Sequence, residues 1–406
     1  MPGPYPAITV YGAAWCPDCK NAKRFLGEHL VPYTWVDLGE HPDAQAIVER
    51  YNGGKQIIPT IVFADGSVLV EPSNADLAAK LGLHTAAKSD TYDLIVIGAG
   101  PAGLTAAIYA AREGIDVLVI DRAGTGGQAA ITERLDNYPA FPDGITGADF
   151  ADRIARQAQR FGVEIVSAQE VTALGRDRDH LHITTADQHT YCAEAALIAS
   201  GSTYRRLEVP GEDDYIGAGV HFCATCDGPF YKGRPVVVIG GGNSAAEESA
   251  FLTGMAEHVT LLVRGAQLNA SKVAQDKLPT YANLTARYNS EVTGFEGAKG
   301  HLTAVRLRDT AKGTEETLPT AAAFIFIGLT PNTAFVRDAI DLDVHGFVRT
   351  NEQLETSVPG IFAAGDCRHG STKQIASAVG EGATAALMIR HYLQQGEQMR
   401  GAAEET

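Results

Sequence analysis

Apolar positions in this chain follow two patterns, and the change between them marks a boundary near residue 83. Before it, short apolar stretches at 7–11, 33–36, 60–64 and 67–70 are broken by polar residues, and Asp65-Gly66 joins the last two in a way that suits a hairpin turn. Helical spacing alternates with these strands. One segment puts Ala22, Phe25, Leu26 and Leu30 on a common face, another covers 42–51, and a third starts behind Ser73, whose hydroxyl can cap it. Residues 84–91 are polar and read as a linker.

Beyond the linker, 92–98 and 235–240 are unbroken apolar runs, the signature of strands covered on both faces in a parallel sheet. Each enters a glycine-rich turn, Gly98-Ala99-Gly100-Pro101-Ala102-Gly103 and Gly240-Gly241-Gly242-Asn243-Ser244-Ala245, then a helix, then a second strand at 116–121 or 259–264. The fold class that follows is α/β: an N-terminal unit with the strand order of a thioredoxin fold, then two Rossmann-like nucleotide-binding domains. A third apolar strand at 361–364, with Gly365-Asp366, has no glycine loop of its own and predicts that a distant segment completes the first of them. The boundaries read as 1–84, a linker at 85–91, a first nucleotide domain at 92–205 and 329–394, an inserted second one at 206–328, and a disordered polar tail at 395–406. Residues 94–111 carry no charge, but Pro101 and the glycines interrupt them where a membrane helix must be continuous.

With 33 Lys+Arg against 49 Asp+Glu, the net charge of −16 and the lack of any basic block argue against nucleic acid or an anionic membrane as partner. Residues 1–6 show neither the basic segment nor the apolar run of a secretory signal, so a cytoplasmic location is expected. In a reducing compartment six cysteines point to chemistry rather than to structural disulfides.

The glycine loops admit close approach of a pyrophosphate to a helix N-terminus. Asp121, 23 residues after Gly98, ends the second strand where a carboxylate can bond an adenosine ribose; the equivalent strand of the other domain ends in Arg264, which suits the 2′-phosphate of NADPH over NADH. Two Cys-x-x-Cys pairs, Cys16/Cys19 and Cys223/Cys226, complete the set. They lie too far apart in sequence to share a metal, and no histidine stands at ligand spacing, so redox dithiols are expected and no metal. Cys16, at a helix start, has its thiolate favoured by backbone N–H groups and is the expected nucleophile; Cys19 would resolve, and Asp18 opposes slightly. Asp227, beside the second central thiol, reads either as a general acid or as a turn former. Cys192 and Cys367 read as packing thiols, and no histidine is assigned to catalysis.

From about residue 92 to 393 the chain resembles low-molecular-weight bacterial thioredoxin reductase. The residues that carry the likeness are the first glycine loop, Gly126-Gly127-Gln128, Asn137-Tyr138-Pro139, Ala199-Ser200-Gly201, Cys223 to Asp227, the second loop, Gly328-Leu329-Thr330-Pro331-Asn332 and Ala363-Ala364-Gly365-Asp366. The resemblance implies FAD in the first domain, with Gln128, Asn137, Asp366 and Gln374 at flavin-contacting positions, NADPH in the second, a homodimer, and a nicotinamide domain that rotates during turnover. It also implies Cys226 as the thiol nearest the flavin, Cys223 as the thiol that attacks the outgoing disulfide, and Asp227 as the acid. The family usually carries His-Arg-Arg and a further arginine where this chain reads Val263-Arg264-Gly265, leaving Arg264 alone to support NADPH. The N-terminal unit is similar to glutaredoxins of the mycoredoxin type in Trp15-Cys16-Pro17-Asp18-Cys19 and Ile58-Pro59-Thr60, which implies a cis Pro59 facing the dithiol. The expected path runs from NADPH to FAD, to Cys223/Cys226, to Cys16/Cys19, to an external disulfide on a protein or a low-molecular-weight thiol. Alternatives are a flavoprotein donor to a peroxiredoxin, a reductase of low-molecular-weight mixed disulfides, and a redox sensor without turnover.

Overall fold

The computed structural model describes residues 7–404 apart from 14, 15, 30, 40, 131, 133, 136, 178, 179 and 299, and apart from the side chains of 20, 24, 28, 226, 397 and 399–404. Trp15, Leu30 and the side chain of Cys226 therefore lie outside the described residues.

The N-terminal sheet has the order Thr34–Asp37, Ile8–Gly12, Thr60–Phe63, Val68–Val70, its first pair parallel and the others antiparallel. Helix Pro17–Glu28 starts with proline at its first turn, where no N–H is missed, and turns Ala22, Phe25 and Leu26 onto Val10 and Ile61. Ser73 and Asp76 form a capping box that starts the helix Asn74–Lys80. The expected linker is pinned rather than loose. Glu164 accepts bonds from His84 Nε2 (2.7 Å), the Lys88 N–H (3.0 Å) and the Tyr92 hydroxyl (2.8 Å), and Ser167 N–H donates to the His84 carbonyl (2.8 Å). Burial pushes the Glu164 carboxyl up, but these donors hold it on balance below its ordinary range.

The first nucleotide domain is a sheet ordered Glu164–Val166, Val117–Ile120, Thr91–Ile97, Thr190–Ile198, Leu181–Thr185, Val171–Arg176. Ile361–Ala363 adds to it in parallel beside Thr190–Ile198, the distant completion the sequence predicts. Leu94, Ile95 and Val96 are fully buried, which accounts for the unbroken apolar run: each such side chain contributes roughly 1.5–3 kcal/mol by leaving water. The final helix runs Ile375–Glu404, so residues 395–404 of the stretch expected to be a disordered tail are helical, and the last two lie outside the described residues. Its glutamines, glutamates, alanines and arginine are good helix formers, and they continue a helix already anchored by Ala385, Ile389 and Leu393.

Contacts group residues 1–131, 147–201 and 331–406 in one unit, and residues 132–146 with 202–330 in a second. The second unit holds a five-stranded parallel sheet, Val220–His221, Ala322–Ile325, Pro235–Ile239, His258–Leu262, Leu284–Arg287, and an antiparallel ribbon of Ser290–Ala298, His301–Asp309 and Glu315–Pro319.

Candidate functional site

The three glycines of the first loop serve two tasks. Gly98 has φ +113°, and a Cβ there would meet the Ala199 carbonyl oxygen at 2.4 Å; at Gly103 it would meet the Gly98 carbonyl oxygen at 2.0 Å, so these two glycines let backbone pack on backbone. Gly100 differs. It caps helix Pro101–Arg112 without any side-chain bond, and a Cβ built on it has no heavy atom within 4 Å. An open face above uncapped helix N–H groups is what a pyrophosphate requires. Pro101 and Ala102 form the first turn beneath it.

Gly126 N–H donates to the Ala99 carbonyl (2.8 Å), setting Gly127 against Gly100 and bringing exposed Gln128 beside the loop. Asp121, half-buried, accepts the Ala99 N–H at 2.5 Å and the Ala123 N–H at 2.7 Å, one on each oxygen. Burial pushes its carboxyl up while these two bonds act the other way, and each oxygen keeps a lone pair for a ribose. From the far end of the chain, Gly365 and Gly382 lie against Ala102, which puts Asp366 and Gln374 in the same unit as the loop. Burial also pushes Asp366 up, and Lys373 Nζ donates to its carbonyl at 2.6 Å. Asn137 falls in the segment grouped with the second unit. Apart from Asn137, the residues expected to hold a flavin dinucleotide share one unit, and the open face at Gly100 fits such a group.

In the second unit, Gly240 would meet the Phe326 carbonyl at 2.3 Å if it carried a Cβ, whereas Gly242, capping Asn243–Leu252, faces open space. Asn243 and Ser244 are exposed, Ala245 is buried, and Asn243 Oδ1 accepts the Ser271 N–H at 2.6 Å, tying the loop to the next helix. Arg264 is exposed two residues past the strand His258–Leu262. This loop too fits a dinucleotide, and Arg264 is an exposed cation just past the neighbouring strand.

Cys16 and Cys19 are free thiols, both buried, at the start of Pro17–Glu28. Cys16 Sγ caps that helix by accepting the Cys19 N–H at 3.1 Å and lies 3.8 Å from the Ile58 carbonyl, next to the cis Ile58–Pro59 bond. Burial, with the Cys16 side chain adding to it, pushes the Cys19 thiol up to about 12. One sulfur therefore has a donor that stabilises a thiolate and the other is kept protonated, the division of labour a nucleophile and a resolving thiol need. Asp18 is exposed.

Cys223 is disulfide-bonded and leads into the short helix Ala224–Asp227. Asp227 is 9% exposed and its N–H donates to the Cys223 carbonyl at 3.1 Å, so it both forms the turn and stands beside the dithiol. The sequence reading missed its neighbour. His221 Nδ1 is 3.4 Å from Asp227 Oδ2, a pairing that sequence spacing gives no sign of because it depends on that turn folding back.

Cys367 is fully buried, bonded to the Ile198 and Ala364 carbonyls, and pushed up to about 11 by burial, as a packing thiol should be. Cys192 is not a core thiol. It is half-buried, on the face of its strand away from Tyr191 and Ala193, with Sγ 3.5 Å from His182 Nδ1, whose Nε2 meets Asp177 at 2.6 Å.

Residues 92–382 match the pyridine nucleotide-disulphide oxidoreductase family and residues 8–69 the glutaredoxin family. The thioredoxin reductase of Listeria innocua is 39% identical over 311 residues, 76% of this chain and 96% of that protein. A Mycobacterium leprae protein described as a bifunctional thioredoxin reductase/thioredoxin is 38% identical over 318 residues, 78% of this chain and 69% of that protein. The crystal structure of thioredoxin reductase from Streptococcus pyogenes aligns with a TM-score of 0.73 at 37% identity, over 75% of this chain and 99% of that one. Glycine loops, central disulfide and overall likeness agree: the chain belongs to the pyridine nucleotide-disulphide oxidoreductase family, as a disulfide reductase of the thioredoxin reductase type preceded by a glutaredoxin domain.

Proposed function

We propose that the chain is a self-contained disulfide-reducing system in which electrons from NADPH, relayed by FAD, reach Cys223/Cys226, pass to Cys16/Cys19 and leave to an external disulfide. The observation that carries this reading is the intact nucleophile of the N-terminal domain, Cys16 capping its helix beside a Cys19 kept protonated, in one chain with a disulfide-bonded Cys223. FAD, when bound, supplies the two-electron link between a nicotinamide and a dithiol. Gly98, Gly100, Pro101, Ala102, Gly103, Asp121, Gln128, Asn137, Asp366 and Gln374 would hold it, and Gly240, Gly242, Asn243, Ser244, Ala245 and Arg264 would hold NADPH.

The protein's own steps are thiol–disulfide exchanges. Cys223 thiolate attacks the oxidised Cys16–Cys19 pair, one sulfur of which leaves; Cys226 then attacks Cys223 in the mixed disulfide, re-forming the central disulfide and freeing the terminal dithiol. Asp227 holds the proton that a departing thiolate takes up, and Cys16 attacks the external disulfide. Carrying the acceptor domain on the same chain raises its effective concentration to the order of millimolar. The terminal acceptor is a protein disulfide or a low-molecular-weight mixed disulfide, with a peroxiredoxin as a further candidate. Following the family resemblance, we place the protein in the cytoplasm as a homodimer; among the described residues no helix is long and apolar enough to cross a membrane.

Steady-state oxidation of NADPH with a disulfide protein as acceptor tests the reading. Cys226→Ser abolishes turnover and Cys16→Ser removes most of it; a Cys16→Ser enzyme as fast as wild type would contradict the relay.

A further inference from the structure

We infer that His221 is a positioning residue for the proton step at the central disulfide, holding Asp227 through Nδ1–H while Tyr231 fixes which imidazole nitrogen bears the proton. The inference rests on the reading of Asp227 as the acid. His221 is only 5% exposed, and its ring lies 5.2 Å from that of Tyr231 and 5.4 Å from that of Phe324. An imidazole in so apolar a place is costly unless its nitrogens are bonded. Nε2 is hydrogen-bonded at 2.8 Å to the Tyr231 hydroxyl, and Nδ1 faces Asp227 Oδ2 at 3.4 Å, an ion-pair contact longer than an ordinary hydrogen bond that a small shift of either side chain would close.

The direction of these bonds follows from the groups themselves. A carboxylate oxygen can only accept, so a ring that bonds Asp227 does so with its proton on Nδ1, which leaves Nε2 as the acceptor for the Tyr231 O–H. With Oδ2 committed, a protonated Asp227 carries its proton on Oδ1. When two electrons break the central S–S bond, one sulfur leaves as thiolate, the other takes the Oδ1 proton, and the resulting carboxylate keeps its bond from Nδ1–H. Arg234, which is exposed, sets its guanidinium 5.6 Å from the Tyr231 ring.

The test compares His221→Asn, whose amide N–H takes the place of Nδ1–H, with His221→Leu, which fills the apolar space and cannot donate. FAD-loaded enzyme is mixed with NADPH, quenched with iodoacetamide, and the central thiols are counted by mass spectrometry over time; Asp227→Asn and Tyr231→Phe run alongside. The expectation is a 10- to 100-fold slowing in His221→Leu, as for other residues that orient a reacting group, and His221→Asn within about threefold of wild type. Tyr231→Phe falls between them. A packing role predicts the opposite order, with His221→Leu the better variant in rate and melting temperature, and that would overturn the inference. So would His221→Leu at the wild-type rate while Asp227→Asn is slow. If Asp227→Asn is itself as fast as wild type, the acid assignment fails instead. Should His221→Leu not fold, a wild-type rate in Tyr231→Phe together with a slow His221→Asn would equally overturn it.

Discussion

Alanine at Gly100 separates a glycine kept for a ligand from glycines kept for the fold. A Cβ on Gly100 meets no heavy atom within 4 Å, and its backbone, with φ −76° and ψ 179°, is open to any residue. The same atom would lie 2.0 Å from a carbonyl oxygen at Gly103, and 2.4 Å from one at Gly98, where φ is also +113°. Overpacking costs about 1–3 kcal/mol, and forcing a side chain to positive φ adds about 1–2 kcal/mol. With about 2–4 °C of melting temperature per kcal/mol in a domain of this size, Gly98→Ala and Gly103→Ala should melt several degrees below wild type. Gly100→Ala should stay within about 0.5 kcal/mol of it. Affinity reverses the order of harm, because the new methyl stands where a pyrophosphate must approach: a misfit of one carbon is worth about 1–3 kcal/mol, or roughly 5- to 150-fold in Kd. The assay pairs thermal denaturation of cofactor-stripped protein with FAD titration by fluorescence quenching. Gly100→Ala that binds FAD like wild type, or that melts as low as Gly103→Ala, would refute the reasoning.

Other expectations follow from the same geometry. In reduced protein treated with iodoacetamide at pH 8, Cys19, whose thiol is pushed up to about 12, should be labelled far more slowly than Cys16, and its labelling should still be rising at pH 11. The same experiment should label half-buried Cys192 ahead of fully buried Cys367. Glu164, held below its ordinary range when folded, stabilises the protein above the unfolded carboxylate value of about 4.3 and loses that contribution as pH falls through its lowered value. Melting curves should therefore show Glu164→Gln below wild type by a few degrees at pH 7, with the gap closing below about pH 4. Arg264→Ala should raise the KM for NADPH about tenfold and leave that for NADH nearly unchanged, read from steady-state kinetics with both nucleotides.

What the sequence made legible were constraints that act within a few residues. A glycine loop between an apolar strand and a helix, a cysteine just before a proline at a helix start, and a proline before a strand are each complete in one short segment. Gly98 to Gly103 and Cys16 were readable for that reason, and the cis Pro59 through the resemblance of its short motif to glutaredoxins. Asp366 was readable as part of a distant completing segment because the apolar strand Ile361–Ala363 before it has no glycine loop of its own. The pairings that escaped depend on register or on return of the chain. Cys192 faces His182 because their strands pair antiparallel at those two residues, a register set by the turn between them. Glu164 reaches back 80 residues to His84, and His221 meets Asp227 only because Ala224–Asp227 doubles back on Cys223.

The most direct test of the electron path is an anaerobic count of thiols. Fully oxidised, FAD-loaded protein is given NADPH, alkylated, and mapped by mass spectrometry, in wild type and in Cys223→Ser. The account predicts that wild type exposes four new thiols, Cys16, Cys19, Cys223 and Cys226, and that in Cys223→Ser the terminal pair stays oxidised. Reduction confined to Cys223 and Cys226 in wild type, or a terminal pair that is reduced equally well without Cys223, would contradict it.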